Sequence, residues 1–74
     1  MIITGDGSEG EKERARDIEA VLFSVGIPVI SCYLGDIHET FIVVINGRRL
    51  EIGAHSNRVD GAWLTIEDIT SHAE

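Results

Sequence analysis

Thr40-Phe41-Ile42-Val43-Val44-Ile45-Asn46-Gly47-Arg48-Arg49-Leu50-Glu51-Ile52 decides the fold of this 74-residue chain. Asn46-Gly47 is the strongest short hairpin signal, because a two-residue type I′ turn needs positive φ at both central positions. Such a turn sets the register: Ile45 opposite Arg48, Val43 opposite Leu50, Phe41 opposite Ile52. Alternation then puts Phe41, Val43, Ile45, Leu50 and Ile52 on one face, and Ile42, Val44, Arg49 and Glu51 on the other. The first set is a core face that calls for a helix; the second is half polar. Thr40 to Ile45 is apolar on both faces, which predicts a central strand.

The required helix precedes the hairpin. Ser8-Glu9-Gly10-Glu11 fits a capping box, in which the Ser8 hydroxyl and the Glu11 carboxylate each satisfy a free backbone N–H. Ala15, Ile18, Val21, Leu22 and Val25 then fall in one stripe at 3.6-residue spacing, off which lie Lys12, Glu13, Arg16 and Asp17. Gly26 supplies a left-handed stop, and Pro28 prevents continuation. Met1 to Thr4 reads as a first strand, Gly5-Asp6-Gly7 as a turn, and Val29 to Leu34 as a second strand followed by a turn from Gly35-Asp36 to about Glu39. Ala54 to Gly61 reads as a polar connection. Leu64 to Ile69 reads as the start of a second helix, with Thr65 as N-cap, acids in the first turn and Leu64 stapled to Ile69. A fifth strand through Trp63 to Ile66 is the competing reading. The expected fold is a single α/β (α+β) domain over residues 1–74. It is a small two-layer sandwich in the order β-α-β-β-β-α, on a mixed sheet with an antiparallel hairpin over 40–53.

Size and charge narrow the function. A chain of 74 residues buries about 60% of its extended surface and keeps roughly 4,500 Å² exposed. That leaves little room for an enclosed active site. One cysteine excludes an internal disulfide and a cysteine-rich zinc module. The longest apolar run, Phe41 to Ile45, is far short of a membrane span, and Met1 to Thr4 lacks the basic and apolar regions of a signal peptide, so a cytoplasmic protein is expected. Thirteen acids against six bases give a net charge of −7, with the bases Arg48, Arg49 and Arg58 gathered around the hairpin. Such a balance opposes direct binding of nucleic acid or anionic lipid, and it suits a basic protein surface.

Motifs that carry chemistry fail on their details. Gly5-Asp6-Gly7-Ser8-Glu9-Gly10 matches the dinucleotide pattern, but Asp6, Glu9 and Glu11 place negative charge where a pyrophosphate would sit. Glu11 also occupies the lysine position of a Walker A loop. Asp36, His38, Glu39, His55 and Asp60 are metal-ligating types without a chelating pair at helical spacing. Asp36 and Glu51 follow a restriction-nuclease order in outline, but Gly53 stands where the catalytic lysine belongs. Cys32, on a strand, has no basic neighbour in sequence to activate it.

What remains is surface. Phe23 projects from the polar side of the helix, either covered by another element or exposed for a partner, and Tyr33 and Trp63 are the other anchor types. Trp63 is expected to pack on the open sheet face beside Ile42 and Val44. The reading is a non-catalytic binding protein with no cofactor and no metal, whose contact residues are Glu9, Glu13, Asp17, Phe23, Trp63, Glu67 and Asp68. Its partner is a basic protein surface, such as that of a nucleic-acid-handling complex. In size and acidity the chain resembles small phage-encoded inhibitors, including anti-CRISPR and anti-restriction proteins. That resemblance implies a protein that blocks a basic nucleic-acid-binding surface. The alternative is a regulatory anion- or nucleotide-binding module using the Gly5–Gly10 turn or the Arg48/Arg49 hairpin. A homodimer through the half-polar sheet face or an edge strand is a third expectation.

Overall fold

The computed structural model describes residues 1–36 and 38–72. The chain forms β1 (Ile2–Gly5), α1 (Glu9–Ser24), β2 (Val29–Leu34), β3 (His38–Ile45), β4 (Arg48–Asn57) and β5 (Gly61–Asp68), then a 3-10 turn at Thr70–His72. The five strands make one sheet in the order β1-β2-β3-β4-β5. β1 and β2 are parallel and every other pairing is antiparallel. β3 is central, as its two apolar faces require.

The hairpin has the register its turn dictates: Ile45 pairs with Arg48, Val43 with Leu50 and Phe41 with Ile52. Asn46 and Gly47 take the positive φ values of 57° and 77° that a type I′ turn needs. Ser8 and Glu11 close the capping box on α1, with the Glu11 N–H donating to Ser8 Oγ at 3.2 Å and the Ser8 N–H to Glu11 Oε1 at 2.7 Å. At the other end Gly26 turns left-handed at φ 85°. The helix settles on β2 and the flanking strands. Ala15, Val29, Cys32, Leu34, Phe41 and Val43 form the buried core, with Ile3, Ile18, Leu22, Leu50 and Ile52 packed against it.

Two expectations fail at the C-terminal end. The segment 54–57, read as a polar connection, continues β4, and the segment read as a second helix is β5. Asn57 makes the difference. Its Oδ1 accepts from the Val59 N–H at 2.9 Å and the Asp60 N–H at 2.6 Å, and Gly61 takes φ 79°, so residues 57–61 turn the chain back on itself. Returning along β4 pairs the backbone of eight residues, Leu50↔Asp68 through Asn57↔Gly61, whereas a helix of under two turns would be marginal. Thr65 therefore caps nothing; its hydroxyl lies 3.1 Å from His55 Nε2. Leu64 and Ile69 form no staple, and the Ile69 N–H donates instead to the Arg49 carbonyl at 2.9 Å.

The helix stripe is also only partly buried. Val21 and Val25 are exposed, as is Ile45 of the expected core face. Dimensions explain this. Five strands at about 4.8 Å spacing span about 19 Å, while a helix with its side chains is about 10 Å across. One helix covers about half of such a sheet, and here it lies over the β1–β3 half.

Candidate functional site: the outer surfaces of a half-covered sheet

α1 presents the first surface. Helical spacing carries Glu9, Glu13, Asp17, Ala20 and Phe23 along the side away from the sheet. Phe23 is 70% exposed, on the rim of a shallow depression of about 310 Å³ that it shares with Arg16, Glu19 and Ala20. Of the charged groups beside Phe23, Arg16 has no ion pair among the described residues, and the acids along the helix differ in their engagements. Glu9 lies 3.6 Å from Lys12, Glu11 serves the capping box, and Glu19 holds the N-terminal ammonium at 3.1 Å. The Ser8 amide, followed by the Ser8 hydroxyl, holds the Glu11 carboxyl below its ordinary range. Glu13 and Asp17 have no ion pair among the described residues.

The second surface is the sheet face opposite α1. The hairpin register, continued past Thr40, puts His38 opposite His55, and β5 adds Trp63 opposite His55. Tyr33, His38, His55 and Trp63 line up across four strands, with ring centroids 5.4, 5.6 and 5.3 Å apart and the last two pairs stacked. Glycines make room for the row. A Cβ on Gly53 would meet His55 Nε2 and Thr65 Oγ1 at 2.7 Å, and one on Gly35 would meet both His38 and Tyr33 at 3.0 Å. Trp63 thus packs on His55 rather than beside Ile42 and Val44, because it sits on a fifth strand one step further out. On the same face of β5 Thr65 follows two residues on and Glu67 four residues on.

The predicted contact residues accordingly do not form one patch. Glu9, Glu13, Asp17 and Phe23 lie on the helix layer, while Trp63 and Glu67 lie on the far side of the sheet. Asp68 faces the helix side and is engaged there: its carboxylate takes Arg48 Nε at 2.6 Å and the Thr70 N–H at 2.9 Å. The Thr70 hydroxyl first, then the Arg48 guanidinium, hold that carboxyl well below the carboxylate range. Sequence reasoning singled out His38 and His55 only as metal-ligating types and missed their pairing across the sheet. The signal was present in the hairpin register, which pairs residues whose numbers sum to a constant, but strands ended at Thr40 and Gly53 stopped short of them.

The other candidate chemistries are located as plainly. Gly5 and Gly7 clear space for Leu34: a Cβ on either would run into that residue, and the Asp6 N–H donates to the Leu34 carbonyl at 3.0 Å. The first two glycines of the G-x-G-x-x-G turn are thus accounted for by packing, whereas nothing crowds Gly10. Arg48 is taken by Asp68, and the Arg49 backbone by Thr70 and Ile69. The pleat divides the metal-ligating types, since Glu39 turns to the helix side, 3.9 Å from Arg14, and Asp60 lies in the β4–β5 turn. Among the described residues no three of His, Cys, Asp and Glu gather to hold a metal. Cys32 is buried in the core, where desolvation, with help from Glu39, pushes its thiol up to about 11. No helix among the described residues is long and apolar enough to cross a membrane. No protein-family model matches the chain, and neither curated proteins nor solved structures give a match.

Proposed function

We propose that this is a non-catalytic, cytoplasmic binding protein that works through the outer face of α1. The observation that carries the reading is Phe23, a large aromatic left 70% exposed on a capped helix and accompanied by Glu9, Glu13 and Asp17. A rigid aromatic anchor holds a complex, and the net negative charge of the chain speeds encounter with a partner of opposite sign, although Arg16 stands beside Phe23 itself. The partner is a basic protein surface. A nucleic-acid-handling complex is the class that best answers to this charge, and blocking its basic channel is the action the acidic face would perform.

Affinity capture from the native host tests this. The wild-type chain retains a basic partner, and retention falls as salt rises from about 0.05 to 0.3 M, because the Debye length shortens over that range. Glu9→Lys with Glu13→Lys weakens capture at low salt and flattens the salt dependence. A complex indifferent to both salt and charge reversal overturns the reading.

A further inference from the structure

An apolar sheet face has to be buried against another layer. β1, β2 and β3 meet that need under α1, whereas β4 and β5 do not. On the α1 side of the sheet Ile45, Leu64 and Ile66 stand exposed, the last two at 67% and 66%, and Val21 is 65% exposed on the adjoining flank of the helix. Together they form a step. The helix is its wall, with a depression of about 260 Å³ lined by Arg14, Asp17, Ile18, Val21 and Leu22, and the β4–β5 hairpin is its flat floor. The outer margin of that floor is β5, eight residues with no proline and no charge from Gly61 to Ile66. Edge strands of this length are ordinarily blunted by lysine, proline or a bulge, or are covered.

Charge says what kind of occupant the step takes. The ion pairs Arg14–Glu39 and Arg48–Asp68 neutralise four of the charges around it. Asp17 is left without a pair among the described residues, in a chain of net −7. A basic partner finds little to select there, and a second acidic copy meets little repulsion.

We propose that the step is filled by a second copy of this chain, related by a two-fold axis running parallel to the strands. Stacked sheets lie about 10 Å apart and a helix is about 10 Å thick, so the floor of one copy sits level with the helix of the other. Floor packs on floor through Leu64 and Ile66, and each β5 edge abuts the Val21 flank of the opposite helix. The contact is isologous and closes on itself. Area agrees with this. The molecule exposes 5192 Å², against the roughly 4,500 Å² expected of a compact chain of its mass. The four side chains named leave on the order of 400 Å² per copy before floor backbone and helix flank are added, toward the roughly 800 Å² per partner of a standard interface. Phe23, Glu9 and Glu13 on the outer face of α1 stay free, and Asp17 alone is shared between that face and the wall of the step.

Sedimentation velocity on the whole chain at about 100 μM tests it. The wild type sediments as a dimer, twice the 8.1 kDa chain. Val21→Arg and Ile66→Arg, both at exposed positions and both checked for a native far-ultraviolet spectrum, sediment as monomers with association at least tenfold weaker. If either fails to fold, Leu64→Gln takes its place on the floor, or Val21→Gln on the wall. A wild type that stays monomeric overturns the proposal. A dimer that survives Val21→Arg also overturns it, because pairing edge to edge through β5, or through the face of Tyr33 and Trp63, does not involve the helix flank. Phe23→Asp leaves sedimentation unchanged, so failure of the dimer and failure of the partner contact are read separately.

Discussion

Phe23 and Cys32 show how the same physical rule, the cost of leaving apolar surface wet, has opposite outcomes at single residues. Cys32 is 1% exposed in the core, and its thiol is pushed up to about 11 from an ordinary 9.0 chiefly by desolvation. A group whose pKa is raised on folding adds stability below its unfolded value and loses it as pH climbs through the folded one. Urea midpoints are therefore expected to hold to about pH 9 and fall toward pH 11, and Cys32→Ala, less stable throughout, flattens that limb. Phe23 lies outside the core, so Phe23→Ala shifts the urea-derived stability by less than about 0.5 kcal/mol while weakening partner capture. Gly7→Ala does the reverse. It forces a methyl into the Leu34 side chain and costs about 1–3 kcal/mol, measured in the same titration, with capture by the folded fraction intact. The burial of Cys32 was legible in sequence from the local period of its strand, and so was the position of Phe23 on the polar side of the helix, but whether another element covers Phe23 was not. His38 and His55 were not, because their pairing depends on how far two strands run before they part.

At the scale of elements, α1 and the β3–β4 hairpin follow from signals contained within them. The capping box, the Gly26 stop and Asn46-Gly47 each act over a few residues. Ser8→Ala removes the acceptor for the Glu11 N–H, and thermal unfolding should register a loss of about 1 kcal/mol. β5 is a different case. Leu64 to Ile69 carries acids and a threonine that would open a helix well, and only the free edge of β4 and the Asn57 turn make a strand of it. Its end is fastened by Asp68, whose carboxyl is held well below the ordinary value of 3.8 by Thr70 and Arg48. Glu11, held below its ordinary 4.5 by Ser8, fastens the helix start in the same way. Groups depressed on folding stabilise above their unfolded pKa and lose that contribution as pH falls through the folded one. Acid unfolding should accordingly begin below about pH 4, and Asp68→Asn should shift the low-pH limb of a stability profile while removing the same contribution at neutral pH.

For the whole molecule, one helix on five strands sets the division of labour. The covered half of the sheet supplies the core, and the uncovered half leaves an apolar step. The chain order β-α-β-β-β through the hairpin followed from turn and periodicity signals, whereas the fifth strand and the order of strands in the sheet did not. The step did not, because it appears only once β5 widens the sheet beyond what α1 can cover. The same widening separates the two aromatic anchors. Phe23 rides on the helix layer and Trp63 on the opposite sheet face, too far round the molecule to meet one flat partner surface together. The account therefore assigns the partner to one of them, and a paired substitution decides between the two faces. Host partner captured on wild type, Phe23→Asp and Trp63→Asp chains, each shown folded by its far-ultraviolet spectrum, should be lost at least tenfold with Phe23→Asp and kept with Trp63→Asp. Retention on Phe23→Asp with loss on Trp63→Asp would place the working surface on the open sheet face and contradict the account.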